Sequence, residues 1–308
     1  MPSSNTARIL QIDTCLRQLS TQKKIQWHEL NLNPSELLPL LDDFGLVYVS
    51  NKDNLLLLGI KNANDPTLVD PLDFMDMSPR LNTLPQLNKL FFYYTDSTIN
   101  QTSMIVAPGI CCAEYQSLGQ GQRGNNWVST FADNLLCTLK LPKTHQPQLL
   151  TRHVALVMCQ TLSTLFPNIC FRIKYPNDLF VDGYKIAGIL VHLKEDHVLI
   201  SFGLNVNMLD AAIDQPWTSL RRLTGTRHNR GLLLDHLAHE LTQQLHLKTL
   251  DFKTLNSYDM CMNKPVYITK SPEEIGIGKG FISRGTYLIQ FPRGFYELTP
   301  NDRLRILT

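Results

Sequence analysis

GQGQRGNNWVSTFADNLLCTLKL, Gly119 to Leu141, is the stretch on which the fold class turns. It opens as Gly119-x-Gly121-x-x-Gly124, the spacing of a dinucleotide-binding turn. That turn needs a helix starting at its third glycine and an acidic residue about 20 positions further on. Here a polar turn follows instead, then an apolar strand-like run, and Lys140 stands near the place of the acid. The stretch therefore reads as a long polar loop joining two strands. Glycines let a backbone approach a ligand closely, and successive N–H groups can form an anion-binding nest. Trp127 either packs on a flat ring or anchors a surface loop to the core.

Other strand ends carry polar groups of the same kind. Asp96-Ser97-Thr98 follows the apolar LFFYY. Asn177 and Asp178 follow the alternating CFRIKYP, and Lys185 opens the apolar KIAGIL. A lysine there either snorkels or faces a buried anion. Each feature alone reads as structural, but four such segments in one domain point to a shared site. Between and after them, Asp182-Gly183 and Lys194 to Asp196 mark turns in a three-stranded run from Asp178 to Met208. Leu150, Val154, Val157, Met158, Thr161 and Leu165 mark one helix, and Leu234, Leu237, Leu241 and Leu245 another.

Upstream, Ile9, Ile12, Leu16 and Leu19 share a helix face. A second helix runs from Asn33, a candidate N-cap, to Gly45 as its stop, with Pro39 expected to kink or shorten it. A hairpin turning at Asn51 to Asn54 follows. The boundaries predicted are a winged-helix-like domain over 1–62, a linker rich in Pro, Asp and Asn over 63–85, a catalytic domain over 86–262, and a C-terminal domain over 263–308. The last holds only short strands (PVYIT, GKGFIS, TYLIQF, GFYELT, RLRIL), the spacing of a small SH3-like barrel. The fold class is α+β, with a mixed sheet and packed helices at its centre.

The 308 residues suffice for two or three domains. A net charge of +2 gives no cause to invoke nucleic acid or an anionic membrane as a partner. No apolar run approaches the roughly 18 residues of a membrane span, and the start does not resemble a signal peptide. Seven scattered cysteines without a Cys-x-x-Cys pair fit free thiols, so the expected location is the cytoplasm. His239-Glu240-Leu241-Thr242-Gln243 lacks the second histidine of a zinc-protease helix. No Gly-x-Ser-x-Gly elbow is present.

Taken in order, DST, EYQSLGQGQRGNNW, KYPND, KIAGIL and GLNVN resemble the motif series of the biotin–protein ligases. The resemblance covers residues 86 to 308. It implies an ATP-dependent reaction in two steps: biotinyl-5'-AMP is formed, then biotin passes to a lysine of a biotin carboxyl carrier protein, an acetyl-CoA carboxylase subunit. It implies that Ser97, Thr98 and Gln116 hold the ureido ring of biotin, with Gly119 and Gly188 leaving room beside it. Lys185 would contact the carboxylate and α-phosphate, and Asp178 would orient or deprotonate the incoming lysine. Gly121, Gln122, Arg123, Trp127, Asn177 and Asn205 would serve the nucleotide, and Arg123 would also join Lys185 and Asp178 as a catalytic residue. Magnesium would come with ATP rather than from a protein metal site. The resemblance leaves room for a homodimer, and no membrane partner is expected. Lipoate or octanoate ligation is the nearest other chemistry, and a non-catalytic biotin sensor is a third reading.

The chain also departs from that pattern. Gln120, Gln122 and Asn125 stand at arginine positions of the family loop, Tyr175 at a tryptophan, and Ile99 at an asparagine. A neutral amide lacks the charge and fork of arginine, at a cost of ~1–2 kcal/mol of phosphate interaction each. Within residues 1–62, six bases (Arg8, Arg17, Lys23, Lys24, Lys52, Lys61) meet six acids (Asp13, Glu29, Glu36, Asp42, Asp43, Asp53), a net of zero. The second helix carries Glu36, Asp42 and Asp43 and no base, so DNA binding is not expected of this domain.

Overall fold

The structure is a computed structural model, in which residues 4–22, 24–30, 32–44, 46–61, 69–70, 87–143, 149–247, 249–299 and 301–307 are described. In chain order the elements begin with α1 (Ser4–Gln22), β1 (Lys24–Gln26), α2 (Pro34–Asp43), β2 (Leu46–Ser50), β3 (Asn54–Lys61) and β4 (Val69–Asp70). Then come β5 (Asn88–Phe92), α3 (Thr98–Gln101), β6 (Gly109–Ala113), β7 (Leu135–Pro142), α4 (Leu150–Leu165), β8 (Arg172–Lys174), β9 (Asp178–Val181), β10 (Tyr184–Leu193) and β11 (His197–Leu204). Last are α5 (Leu220–Thr224), α6 (Arg230–Leu247), α7 (Phe252–Ser257), β12 (Pro265–Ile268), β13 (Ser271–Phe281), β14 (Tyr287–Phe291), β15 (Gly294–Glu297) and β16 (Leu304–Ile306). The class is α+β with a large mixed sheet of seven strands.

The chain divides into two compact units, 1–141 with 201–214 and 219–235, and 142–200 with 215–218 and 236–308. In the first, β1, β3 and β2 pair antiparallel, and the two-residue β4 adds to β3 through Ile60–Asp70 and Lys61–Val69. Val69 and Asp70 therefore form a strand inside the stretch expected as linker; the rest of that stretch, and Gly45, lie outside the described residues. The helix-face residues Ile9, Ile12, Leu16 and Leu19 are all buried, as their spacing requires. Among the described residues between β1 and α2, the one helical piece is a three-residue 3₁₀ turn, Trp27–Glu29. Pro39 does not end α2, which runs on to Asp43 with Leu37 and Leu41 fully buried. A proline forfeits one backbone bond, and apolar burial on both sides of it offsets that loss. Asn51 builds the expected hairpin turn by accepting the Asp53 and Asn54 amides on Oδ1.

The helices of this unit grip the end of β5. Asp13 of α1 accepts the Tyr93 N–H at 2.5 Å and the Tyr94 N–H at 3.3 Å. Arg17 donates to the Phe91 carbonyl at 2.8 Å. Phe44, directly after α2, stacks on Phe131 with centroids 4.6 Å apart and meets Tyr115 at 4.8 Å. Strands β5 and β6 run parallel and β6 and β7 antiparallel, and their inward residues are almost wholly buried. Glu114 and Arg230, both fully buried, form an ion pair beneath them.

In the second unit β8, β9 and β10 form an antiparallel meander against α4. The β9–β10 turn uses Asp182 and Gly183 at φ 50° and 86°, the left-handed pair that a two-residue hairpin demands. The C-terminal strands make a five-stranded antiparallel sheet in the order β15-β14-β13-β12-β16. Strand β13 starts at Ser271, well before the GKGFIS predicted. Its first half, Pro272 to Ile275, is exposed, so it lacks the apolar alternation by which a strand is read.

Candidate functional site

In the first unit the Asp96–Thr98 segment and the glycine loop are tied together. Ser97 occupies the N-cap position of α3 and is buried, as is Thr98. The Asp96 carboxylate accepts from the Ser97 N–H at 2.6 Å, the Asn100 amide at 2.8 Å, the Gln101 amide at 2.9 Å and the Thr95 hydroxyl at 3.1 Å. Burial pushes this carboxyl up, and those four donors more than offset it, leaving it below the usual range. Asp96 is therefore an anionic clasp for the turn that presents Ser97 and Thr98.

Gln116 closes the corner. Its Oε1 accepts both the Thr98 N–H at 2.6 Å and the Thr98 hydroxyl at 3.0 Å. Because a backbone N–H can only donate, the oxygen must face Thr98, and the Gln116 NH₂ faces the glycine loop. Thr98 Oγ1 also lies 2.8 Å from Thr138 Oγ1 on β7, which lies 2.8 Å from Ser201 Oγ on β11.

The loop itself folds back on its own backbone. Trp127 N–H donates to the Gly119 carbonyl at 2.8 Å, and Gly121 N–H to the Asn125 carbonyl at 2.7 Å. A Cβ on Gly119 would stand 2.5 Å from the Trp127 carbonyl oxygen, so no side chain fits there. The Trp127 indole lies across Gly203 of β11, where a Cβ would come within 2.3 Å of Cε2. Gln122 to Gly124 form a 3₁₀ turn rather than a helix start, with Arg123 exposed at φ 59°. Gln120, at an arginine position, reaches the Asn100 side chain at 3.3 Å. Asn205 is buried after β11, and its carbonyl accepts the Leu220 N–H at 3.1 Å.

The second unit holds the cationic group. Lys185 Nζ lies 2.8 Å from Asp178 Oδ1, with the side chains 14% and 22% exposed. The register explains the pairing: Asp178 lies opposite Gly188, Lys185 opposite Phe180, and a bulge falls between Lys185 and Ala187. A bulge twists a strand and re-aims a side chain. Lys185 also pairs through its backbone with a segment that sequence reading passed over, since its N–H donates to the Pro216 carbonyl at 3.0 Å and its carbonyl accepts the Thr218 N–H at 2.9 Å. Asn177 is buried and tied to β10, its Nδ2 donating to the Ile189 carbonyl at 2.7 Å. Tyr175 is buried beside Phe281 and Tyr287, with the Arg152 guanidinium 5.3 Å from its ring centroid.

Ser97, Thr98, Gln116, Gly119, Trp127 and Asn205 thus belong to the first unit, and Asn177, Asp178, Lys185 and Gly188 to the second. Thr138 and Ser201 were not singled out by the sequence, whereas Gly203 opens the GLNVN motif. The first two carried one faint signal, a hydroxyl inside an otherwise apolar strand (LLCTLKL, HVLISFGL). His236 and His239 are exposed on α6.

A family model described as the biotin/lipoate A/B protein ligase family matches residues 91–207. The chain is 27% identical over 245 residues to the bifunctional ligase/repressor BirA of Escherichia coli, covering 73% of this chain and 76% of that protein. It is 28% identical to the biotin–[acetyl-CoA-carboxylase] ligase of Paracoccus denitrificans, covering 65% of this chain and 93% of that one. The solved structure of biotin protein ligase from Aquifex aeolicus in complex with biotin and ATP has a TM-score of 0.62 at 23% identity, over 71% of this chain and 99% of that one. At that identity the likeness bears on the fold alone.

Proposed function

We infer the chemistry from the family to which this chain belongs, the biotin–protein ligases. The protein is an ATP-dependent ligase. The biotin carboxylate attacks the α-phosphorus of ATP, the bond to the β-phosphate oxygen breaks, and pyrophosphate leaves. A lysine amine of a carboxyl carrier protein then attacks the acyl carbon of biotinyl-5'-AMP, and AMP leaves as the amine loses its proton. The nucleotide enters as its magnesium complex.

The observation that carries the choice of biotin is the Thr98–Gln116 corner. A ureido ring offers one carbonyl acceptor and two N–H donors, which a buried hydroxyl and amide can match. The apolar dithiolane of lipoate offers no partner to the Thr98 hydroxyl or the half-buried Gln116 amide, so it gains none of the polar contacts a ureido ring would make there. In our reading Ser97, Thr98 and Gln116 hold the ring, and Gly119 and Gly188 keep space beside it. Lys185 stabilises charge gathering between carboxylate and α-phosphate, where low hydration strengthens its effect. Asp178, already within hydrogen-bond reach of Lys185, orients the incoming amine and takes its proton. Gly121, Gln122, Arg123, Trp127, Asn177 and Asn205 attend the nucleotide.

Further parts of the reading are proposals of the same kind. The N-terminal elements form a winged-helix-like domain whose middle helix is reduced to the Trp27–Glu29 turn, and it does not bind operator DNA. The last five strands form an SH3-like barrel. The ligase works in the cytoplasm; among the described residues no helix is long and apolar enough to cross a membrane. Purified protein with MgATP and biotin, but not lipoate, should release pyrophosphate and label a carrier domain. Lys185→Ala should slow pyrophosphate release by about a hundredfold. An unaffected Lys185→Ala enzyme would remove that residue from the mechanism.

A further inference from the structure

We propose that Thr138 and Ser201 are positioning residues that polarise Thr98 as a hydrogen-bond donor and so make the site select an oxygen acceptor in the ring of its acid substrate. The proposal rests on the reading of the Thr98–Gln116 corner as the ureido site. It follows from counting protons. Each hydroxyl owns one proton. Thr98 spends its proton on Gln116 Oε1. The 2.8 Å contact between Thr98 and Thr138 must then be donated by Thr138, and the 2.8 Å contact between Thr138 and Ser201 by Ser201. The three hydroxyls form a one-way chain, Ser201 to Thr138 to Thr98 to Gln116. Thr138 is fully buried and Ser201 is 8% exposed, so water does not scramble it.

A hydroxyl that accepts a bond from behind is a stronger donor in front. An arriving carbonyl oxygen can take the Thr98 proton by a simple rotation about the Cβ–Oγ1 bond. Gln116 keeps its orientation meanwhile, because the Thr98 N–H still holds Oε1 at 2.6 Å. No proton further back has to move. Thr138 and Ser201 need not touch the substrate, and they lie 40 and 103 positions from Thr98 in the chain.

The test compares the wild type, Thr138→Val, Thr138→Ser and Ser201→Ala in calorimetric binding of biotin and of an analogue with sulfur in place of the ureido oxygen, a weaker acceptor. The KM for ATP and the melting temperature are measured alongside. Thr138→Val should bind biotin about tenfold more weakly, and its preference for biotin over the thio analogue should shrink. Thr138→Ser should restore both, Ser201→Ala should fall between, and the KM for ATP should stay unchanged. The proposal is overturned if Thr138→Val binds biotin like the wild type. It is equally overturned if both ligands weaken by the same factor, the mark of a merely structural loss. A wild type that binds no biotin would overturn the ligase reading itself, a distinct outcome.

Discussion

Gln122 is one of three loop positions, with Gln120 and Asn125, at which this chain lacks the arginine of the family pattern. It stands at an arginine position in the 3₁₀ turn, beside Arg123, and only the second of the two carries charge. An amide can donate one or two bonds to a phosphate but brings no Coulomb attraction and no rigid fork. Gln122→Arg should therefore lower the KM for ATP by roughly three- to tenfold, with kcat changed less, in a pyrophosphate-release assay. A KM that stays put would mean that the turn does not face the nucleotide. The same scale shows what sequence reading reached and what it could not. Lys185 and Asp178 are seven positions apart across one tight hairpin, so their pairing follows from a local register. Thr98, Thr138 and Ser201 sit on three different elements, and only the sheet brings their hydroxyls into line.

Among elements, the attachment of the C-terminal strands depends on one buried acid. Asp259, just after α7, accepts the Tyr287 hydroxyl of β14 at 2.6 Å and the Cys261 N–H at 3.0 Å. Asn256 of α7 is bonded in both directions to the backbone of Phe281 at the end of β13. Burial pushes the Asp259 carboxyl up to about 6, against the opposing pull of Tyr287, the Cys261 amide, Lys264 and Arg172. Between about pH 4 and pH 6 the folded chain then keeps a proton that the unfolded chain has lost. The group's contribution is full on the acid side and is lost as pH rises through about 6. The stability of the wild type minus that of Asp259→Asn should thus fall by ~2 kcal/mol from about pH 4.5 to about pH 7.5, read by urea unfolding. A difference that is flat with pH would exclude the raised pKa. None of this was legible beforehand, because an aspartate in SYDMC looks like any turn acid until its burial is known. The elements that were legible had strong local signals: Asp182-Gly183 for the β9–β10 hairpin, and leucine stripes for α4 and α6.

For the whole molecule the question is what residues 4–61 do. Their charge sums to zero, so they offer no net attraction to a polyanion. Helix α2, the element that would enter a groove, carries Glu36, Asp42 and Asp43 and no base. Its end is also engaged elsewhere, since Phe44 is stacked on Phe131 and packed on Tyr115, one residue before Gln116. Asp13 and Arg17 of α1 are likewise committed to the backbone of Phe91, Tyr93 and Tyr94, which leads directly into Asp96–Thr98. Burial raises the Asp13 carboxyl, so this contact is built at a cost in solvation that Arg17 and the two amides offset only in part. These contacts support the proposal that the N-terminal elements brace the Asp96–Thr98 corner rather than read DNA sequence. Phosphate binding would show as a steep loss of affinity with salt, with a slope near −0.9 for each phosphate neutralised. The expected outcome for this chain is no specific retardation of promoter fragments at ~0.15 M salt, with or without biotin and ATP, and only weak binding at low salt. A saturable, sequence-specific complex at the higher salt would show that the acidic face of α2 is not what meets DNA, and the brace would then have a second role.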